Sequence, residues 1–254
     1  MTEPRPFRSH EGGLVGLVAG ASGGIGTALA QELLRSYSVS GLWLVSRREP
    51  DADLMTDPRV VWRQGDLLDE GFLGGLREEL TRAVGSLDLV LNACGLLHAE
   101  GVAPEKRLAA VTKSNLERLF GINAVLPVLL AQATAPLMKR SRDAVFASLS
   151  ARVGSISDNA SGGWHAYRAS KAAHNMLLRN VALEWRVTQP STTVVMLQPG
   201  TVRTALSRPF LQGAAGDRAL EPRESAAHLL RVLEGVSPAA SGAFLDWRGE
   251  SIPF

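Results

Sequence analysis

Cysteine is scarce in this sequence, and neither sign of charge is in clear excess. Cys94 is the one cysteine among 254 residues, which excludes an internal disulfide and a zinc site built on several cysteines. Lysine and arginine number 27 and aspartate and glutamate 25, a net charge of +2, and no basic cluster typical of a nucleic-acid binder is present. No metal site is expected either, since no metal-ligand spacing with a carboxylate partner involves His98, His165, His174 or His228.

Long apolar runs are also lacking. The best candidate for a membrane span is interrupted at Asn123, Pro127, Gln132 and Pro136, and the first ten residues, MTEPRPFRSH, contain no apolar core like that of a signal peptide. The sequence therefore predicts a soluble, cytoplasmic protein with no membrane partner. Residues 1–12 are expected to form a flexible segment ahead of a single domain over residues 13–254.

Seven short apolar runs alternate with longer amphipathic stretches from Gly13 onward. Several runs are apolar throughout, as strands buried on both faces are, so we expect an α/β fold with a doubly wound, seven-stranded parallel sheet and helices on both faces. Residues 104–108 are expected to form a solvated loop or helix start, and residues 201–221 a cover above the sheet or an ordinary surface loop. The predicted strands are 14–20, 41–46, 60–65, 87–93, 144–150, 192–200 and 243–247, and the predicted helices are about 24–36, 69–84, 113–139, 164–187 and 222–235.

A glycine-rich string, GASGGIG, connects the first predicted strand to the first predicted helix. Glycines let the backbone turn sharply and approach a pyrophosphate, and the helix N-terminus supplies free N–H groups and a partial positive charge. This placement predicts a dinucleotide site, with a tight turn that binds nothing as the alternative. The expected cofactor-binding residues here are Gly20, Ser22, Gly23, Gly24, Ile25 and Gly26.

The end of the second predicted strand bears on the choice of cofactor. An acidic residue about 20 positions beyond the glycines would hold the free ribose hydroxyls of NAD, but Ser46, Arg47 and Arg48 stand there. A hydroxyl and guanidinium groups suit a 2′-phosphate better than a carboxylate would. We therefore expect NADP(H) to be preferred, with NAD(H) possible; two solvated arginines at a strand exit are the alternative.

Tyr167 and Lys171 stand four residues apart in a predicted helix, so their side chains lie on one face. A free tyrosine has a pKa near ~10, too high to exchange a proton readily at neutral pH. A neighbouring ammonium favours the phenolate and brings the phenol closer to a useful range. The pair predicts acid–base chemistry, with a surface aromatic–cation pair as the alternative.

These motifs together resemble the short-chain dehydrogenase/reductase superfamily, through the spacing Gly20-x-x-x-Gly24-x-Gly26 and the Tyr-x-x-x-Lys pair. The segments CGLLH, PEKRL, SARVGSISDN, WHAYRASKAA and FLDWRGESIPF resemble its C-factor-like branch, related to sniffer-type carbonyl reductases. The resemblance implies a Rossmann-fold oxidoreductase that moves hydride between a nicotinamide and a small-molecule carbonyl or alcohol. It implies Tyr167 as acid/base, Lys171 as the group that tunes it and binds ribose, and a homodimer or homotetramer formed through the family's fourth and fifth helices.

The same resemblance implies further cofactor contacts after three strands. For Asp66, capping of the helix that begins near Asp69 is the structural alternative. After the sixth strand, Pro-Gly-Thr-Val-Arg-Thr agrees with the family's Pro-Gly-x-Val-x-Thr. The residues implied are Asp66 and Leu67, then Asn92 and Ala93, then Pro199, Gly200, Val202 and Thr204.

Asn123 matches the asparagine that this family places in its long helix. Pro127 follows four residues later and has no N–H, so the carbonyl of Asn123 loses its helical donor. That carbonyl is expected to be free to hold a water that connects Lys171 to solvent as a proton relay. A kinked helix with a buried asparagine and no chemistry is the alternative.

The family's serine, which orients the substrate carbonyl, has no direct counterpart. Its position three residues before Gly154 is Ala151. Ser150 and Ser155 are both candidates, and Ser150 is preferred here although it should point to the other side of an extended strand. Ala151 also supports a second hypothesis from a different class: a nucleotide-binding, C-factor-like signalling or regulatory protein with little or no turnover.

Overall fold

The fold is built on one parallel sheet of seven strands in the order β3-β2-β1-β4-β5-β6-β7. The computed structural model describes residues 12–254, so the segment predicted to be flexible lies outside the described residues except for Gly12. All seven predicted strands are confirmed, with ends that differ by at most two residues. They are β1 Leu14–Ala19, β2 Val39–Ser46, β3 Val60–Gln64, β4 Leu89–Asn92, β5 Val145–Leu149, β6 Thr193–Gln198 and β7 Ala243–Asp246.

Helices cover both faces of the sheet, which confirms the doubly wound α/β architecture. On one face, α1 packs beside α8, with Leu29 and Leu229 in a shared apolar layer. On the other face, α3, α5 and α6 contribute Leu76, Leu130 and Leu178 to a second layer. The helices are α1 Gly24–Ser36, α2 Ala52–Met55, α3 Glu70–Ala83, α4 Lys113–Phe120, α5 Leu126–Met138, α6 His165–Thr188, α7 Ala214–Asp217 and α8 Pro222–Glu234.

The long helix expected near 113–139 is divided into two. A π-helical turn, Gly121–Val125, separates α4 from α5, directly before Pro127, whose missing N–H cannot continue the α-helical hydrogen bonding. The short helices α2 and α7 have too few turns to produce a periodic apolar pattern, so the sequence did not predict them.

The sequence was expected to contain no apolar stretch that could span a membrane. Judged by length and composition alone, this expectation is wrong. The helical stretch Lys113–Met138 is long and apolar enough to do so, although the core helix of a soluble protein passes the same test. In the structure, Leu126, Leu130 and Leu137 of this stretch pack in the apolar layer against the sheet.

The strand order reverses its direction at β1. β1 pairs with β2 on one side and with β4 on the other, so the connections leave these strands toward opposite edges. Ligands of open α/β sheets bind in the crevice that such a reversal opens beyond the carboxyl ends of the strands. The predicted glycine turn follows β1 and lies at this point.

Candidate active site

A cavity of about 710 Å³ lies beyond the carboxyl ends of the first four strands. This volume is within the usual range for small-molecule and cofactor sites. Its lining combines the glycine turn with the ends of β2, β3 and β4, and includes Gly20, Ser22, Gly23, Ser46, Arg47, Arg48, Asp66, Leu67, Ala93, Cys94, Gly95 and Leu96.

The glycine turn is too crowded for side chains at two of its positions. Gly20 has φ +80°, and a Cβ there would lie 2.9 Å from the backbone of Ala93. A Cβ on Gly26 would lie 2.2 Å from the carbonyl oxygen of Gly20. The first turn of α1 has no side-chain cap, so its N–H groups are available to an anion. The residues present therefore fit a pyrophosphate.

Thr204, from the loop after β6, packs against the glycine turn. A Cβ on Gly24 would lie 2.9 Å from Thr204 Cγ2. The backbone N–H of Thr204 donates to Ser207 Oγ at 3.0 Å, and Val202 forms an isolated bridge with Leu220. Pro199 and Gly200 begin this loop but are absent from the lining of the cavity.

At the end of β2, the two arginines are exposed and the serine is buried. Arg47 and Arg48 are exposed and line the cavity, and no acidic side chain forms a salt bridge with either in residues 12–254. The hydroxyl of Ser46 is buried, donates to the Arg48 carbonyl at 2.6 Å and accepts from Trp62 Nε1 at 3.1 Å. Ser46 therefore shapes the turn that carries the arginines.

Asp66 and Asn92 were both predicted to contact the cofactor, but only Asp66 lines the cavity. Asp69, not Asp66, caps α3, because its Oδ1 accepts from the backbone of Gly71 and Phe72. Asp66 is exposed at the cavity and its Oδ1 accepts from the Leu68 N–H at 3.0 Å. Asn92 is buried away from the cavity lining: its Nδ2 donates to Ser148 Oγ at 2.8 Å and its Oδ1 accepts from the Cys94 N–H.

Tyr167 and Lys171 lie on the buried face of α6, 8% and 3% exposed respectively. The Lys171 ammonium donates to the Leu149 carbonyl at 2.8 Å and would lie 3.9 Å from a Cβ on Gly95, which lines the cavity. Burial raises the pKa of Tyr167 to about 12 and lowers the pKa of Lys171 to about 8. Lys171 was expected to lower the pKa of Tyr167, but burial raises it instead. The tyrosine therefore holds its proton at neutral pH, and the lysine titrates near pH 8.

Asn123 is fully buried and joins three parts of the site. Its Oδ1 accepts from the Leu96 N–H and its Nδ2 donates to the Leu96 carbonyl, both at 2.8 Å. Its Nδ2 also donates to Ser170 Oγ, which donates to the Tyr167 carbonyl. The side chain thus ties the loop after β4 to the first turn of α6.

The backbone carbonyl of Asn123 is not free, contrary to the expectation from Pro127. His174 Nδ1 lies 3.0 Å from it. A carbonyl can only accept, so Nδ1 carries the proton. Burial lowers the pKa of His174 well below its usual value, and the nearby Lys171 ammonium lowers it further. A neutral imidazole therefore takes the place that the sequence assigned to a water.

Neither candidate serine forms a hydrogen bond with the Tyr167 hydroxyl in the described part of the chain. Ser150 Oγ donates to Asn175 Oδ1 at 2.6 Å, and Ser155 Oγ accepts from the Asp158 N–H at 3.2 Å. Ala151 instead packs against the apolar cluster that contains Tyr167. The preference for Ser150 is corrected because its hydroxyl is engaged by Asn175, eight residues beyond Tyr167 on α6.

Sequence reasoning missed an aromatic wall next to Tyr167. The Trp164 ring centroid lies 6.1 Å from that of Tyr167 and 5.0 Å from that of Phe210, and Phe210 lies 5.6 Å from His98. Phe210 belongs to the 201–221 segment, so that segment does cover this side of the site. A tryptophan three residues before the tyrosine was the one signal in the sequence.

Comparisons with known proteins agree with this geometry. The short chain dehydrogenase family model matches residues 15–214. The C-signal protein of Myxococcus xanthus is 33% identical over 147 residues, which cover 58% of this chain and 83% of that protein.

Solved structures of carbonyl reductases are similar to this chain over nearly its whole length. An NADPH-bound carbonyl reductase from chicken fatty liver is 26% identical with a TM-score of 0.84, over 94% of this chain and 98% of that one. The carbonyl reductase Sniffer of D. melanogaster shares the fold at 22% identity and a TM-score of 0.83, over 94% of this chain and 99% of that one. The chain belongs to the short-chain dehydrogenase family of oxidoreductases.

Proposed function

We propose that this protein is an NADP(H)-dependent carbonyl reductase with Tyr167 as its general acid. The observation that carries the proposal is the placement of two buried titratable groups, Tyr167 and Lys171, on one face of α6, with the Lys171 ammonium near Gly95 in the wall of the cavity. A bound nicotinamide would supply the hydride. The tyrosine would supply the proton, so that a carbonyl gains both and becomes an alcohol.

The protonation state of Tyr167 favours reduction over oxidation at neutral pH. A general acid must hold its proton before the reaction, and a pKa raised to about 12 by burial keeps the phenol protonated. Lys171, with its pKa lowered to about 8, carries an ammonium that attracts the phenolate left behind. Asn123 holds Leu96 and Ser170 in place around the pair.

The aromatic wall indicates the polarity of the substrate. The Trp164 ring lies beside the phenol and Phe210 packs against Trp164, and Leu206 and Val153 add apolar surface in the same cluster. Such a wall favours an apolar carbonyl compound over a highly charged one, because it offers few polar partners.

The test of activity is NADPH oxidation with a panel of aldehydes, ketones and quinones. We expect turnover that Tyr167→Phe lowers at least about 100-fold while the Kd for NADPH stays unchanged. Background rates with every compound, and no effect of Tyr167→Phe, would favour the second candidate function: a nucleotide-binding signalling or regulatory protein. Ala151 in place of the serine is the observation that supports this second candidate.

The choice of NADP(H) depends on Arg47 and Arg48, the guanidinium groups at the ribose end of the cavity. We expect Arg47→Ala and Arg48→Ala each to weaken NADPH binding about tenfold and to leave NADH binding unchanged. Arg77→Ala, an exposed arginine on α3, is the matched control. Tighter binding of NADH than of NADPH by the unaltered protein would contradict the preference.

A further inference from the structure

Glu105 is a buried carboxylate in a segment that the sequence predicts to be solvated. The side chain is 3% exposed. No lysine, arginine or histidine forms a salt bridge with it in the part of the chain that the structure describes, and its Oε1 has no hydrogen-bond partner there. A buried carboxylate without a cation is costly, so its surroundings must compensate.

The compensation comes from the start of α6, 61 residues further along the chain. Glu105 Oε2 accepts from the Ala166 N–H at 3.2 Å, and the Glu105 carbonyl accepts from the Trp164 N–H at 2.5 Å. The N-cap residue of α6 makes no side-chain cap of its own. Glu105 therefore satisfies orphan donors at the positive end of a long helix.

The chain enters α6 through a strained backbone. Trp164 has φ 49° and is the one non-glycine residue with positive φ among residues 12–254. Gly162 and Gly163 before it also have positive φ, at 61° and 66°. A bulky residue in this region is an outlier that persists only where its surroundings fix it, and such outliers cluster at functional sites.

The result of this conformation is the position of the indole ring. Trp164 lies edge-on to Tyr167 and tilted against Phe210. Tyr167 is in the first turn of α6. It directly follows Ala166, whose N–H donates a hydrogen bond to the Glu105 carboxylate. One carboxylate thus fixes both the helix start that carries the acid and the ring beside it.

We propose that Glu105 is a positioning residue: its carboxylate and carbonyl hold the first turn of α6 and hold Trp164 as a wall of the substrate site. Trp164 is then the specificity-determining residue that Glu105 acts through. The part of this proposal that concerns substrate rests on the proposed reductase function, whereas the part that concerns the helix start does not.

Hydrogen exchange tests the helix start without any turnover. In Glu105→Ala we expect amides 162–168 to exchange at least tenfold faster, with amides of α1 unchanged. Glu105→Gln, which keeps an acceptor for the Ala166 N–H, should stay within threefold of the unaltered protein. Glu100→Ala, an exposed carboxylate five residues away, is the matched control. Equal exchange in Glu105→Ala and Glu100→Ala would overturn the proposal.

Kinetics with benzaldehyde and NADPH test the wall. We expect Glu105→Ala to raise the KM for benzaldehyde at least fivefold and to leave the Kd for NADPH unchanged, with Glu105→Gln restoring the KM. Trp164→Gly removes the ring and suits the left-handed backbone, so it should raise the KM equally without faster exchange, even if Glu105→Ala fails to fold. An unchanged KM in Trp164→Gly would overturn the role of the wall. Absence of turnover with benzaldehyde and with every other compound of the aldehyde, ketone and quinone panel would refute the reductase function, and the exchange data would still decide the role of Glu105 at the helix start.

Discussion

Lys171 carries the clearest pH dependence of any single residue in the described chain. Its pKa of about 8 in the folded protein lies below the ordinary lysine value of 10.5 because burial disfavours the charged form. Between these two values the unfolded chain binds more protons than the folded one. Stability must therefore rise with pH across that window and fall as pH drops through 8.

The predicted slope is at most about 1.4 kcal/mol per pH unit for one proton. Lys171→Met removes this group, so we expect the free energy of unfolding, measured by urea denaturation without nucleotide, to rise by about 1 kcal/mol more in the unaltered protein than in Lys171→Met between pH 8.5 and 9.5. Burial raises the pKa values of Cys94 and Tyr167 to about 12, and this contributes an opposite slope to both proteins. Equal slopes in the two proteins would assign the effect to another group.

Ala151 offers a gain-of-function test at the same scale. A serine there would place a hydroxyl in the apolar cluster that contains Tyr167, where it can donate to a substrate carbonyl. We expect Ala151→Ser to raise kcat for aldehyde reduction about tenfold, ~1.4 kcal/mol.

Ser150→Ala is the control for that variant. Ser150 donates to Asn175, eight residues beyond Tyr167 on α6, so its loss should change kcat less than threefold. If Ser150→Ala abolished turnover and Ala151→Ser had no effect, the position of the serine would have been misassigned.

Residues differ in how far the sequence reveals them. Tyr167 and Lys171 are predictable because their relation is local, set by the helical repeat. Glu105 and His174 are not, because each acts on a residue more than 50 positions away. Burial of Glu105 also depends on packing that no local pattern encodes.

At the scale of elements, the π-helical turn Gly121–Val125 is joined to α6 through hydrogen bonds of Asn123, whose side chain donates to Ser170 Oγ. His174 Nδ1 donates to the Asn123 carbonyl, and both residues are fully buried. Pro127 explains why that carbonyl needs a donor from outside its own helix. The sequence predicted the need for a partner, but the partner's identity depends on how α6 packs on the turn.

His174→Leu should therefore destabilise the protein by about 1–3 kcal/mol, since it leaves a buried acceptor unpaired. His174→Asn retains a side-chain N–H near the same place and should recover at least half of the loss. Thermal and urea unfolding measure both variants. Wild-type stability in His174→Leu would mean that the bond contributes nothing to holding the turn.

For the whole molecule, the strand topology was predictable from the sequence. Which distant residues meet at the site was not. Alternating apolar runs determine a parallel sheet, because each strand must return through a helix to the same edge. That Thr204 packs against Gly24, with about 180 residues between them, depends on where the loop after β6 comes to lie. The crevice at β1 follows from strand order, but its aromatic wall follows from side-chain packing.

The outer face of α6 gives a prediction about assembly. Val187 is 82% exposed, Met176 63% and Leu183 44%, and their spacing of seven and four residues places them on one stripe. A stripe of exposed apolar side chains is typical of an interface, and the family resemblance implies a dimer or tetramer through this helix. We expect light scattering after gel filtration to show an oligomer at micromolar concentration.

Charge on the stripe should dissociate that oligomer. Val187→Glu and Met176→Glu each place a carboxylate where a partner would bury it unpaired, which costs far more than the lost apolar area alone. Leu108→Glu, 76% exposed in the segment Leu108–Ala110, is the control and should leave the mass unchanged. A monomeric wild-type protein, or an oligomer that only Leu108→Glu dissociates, would place the interface elsewhere. Because Tyr167 and Lys171 lie on the opposite, buried face of the same helix, a monomeric Val187→Glu variant also tests whether the site is complete within one chain: its kcat should stay within threefold of wild type.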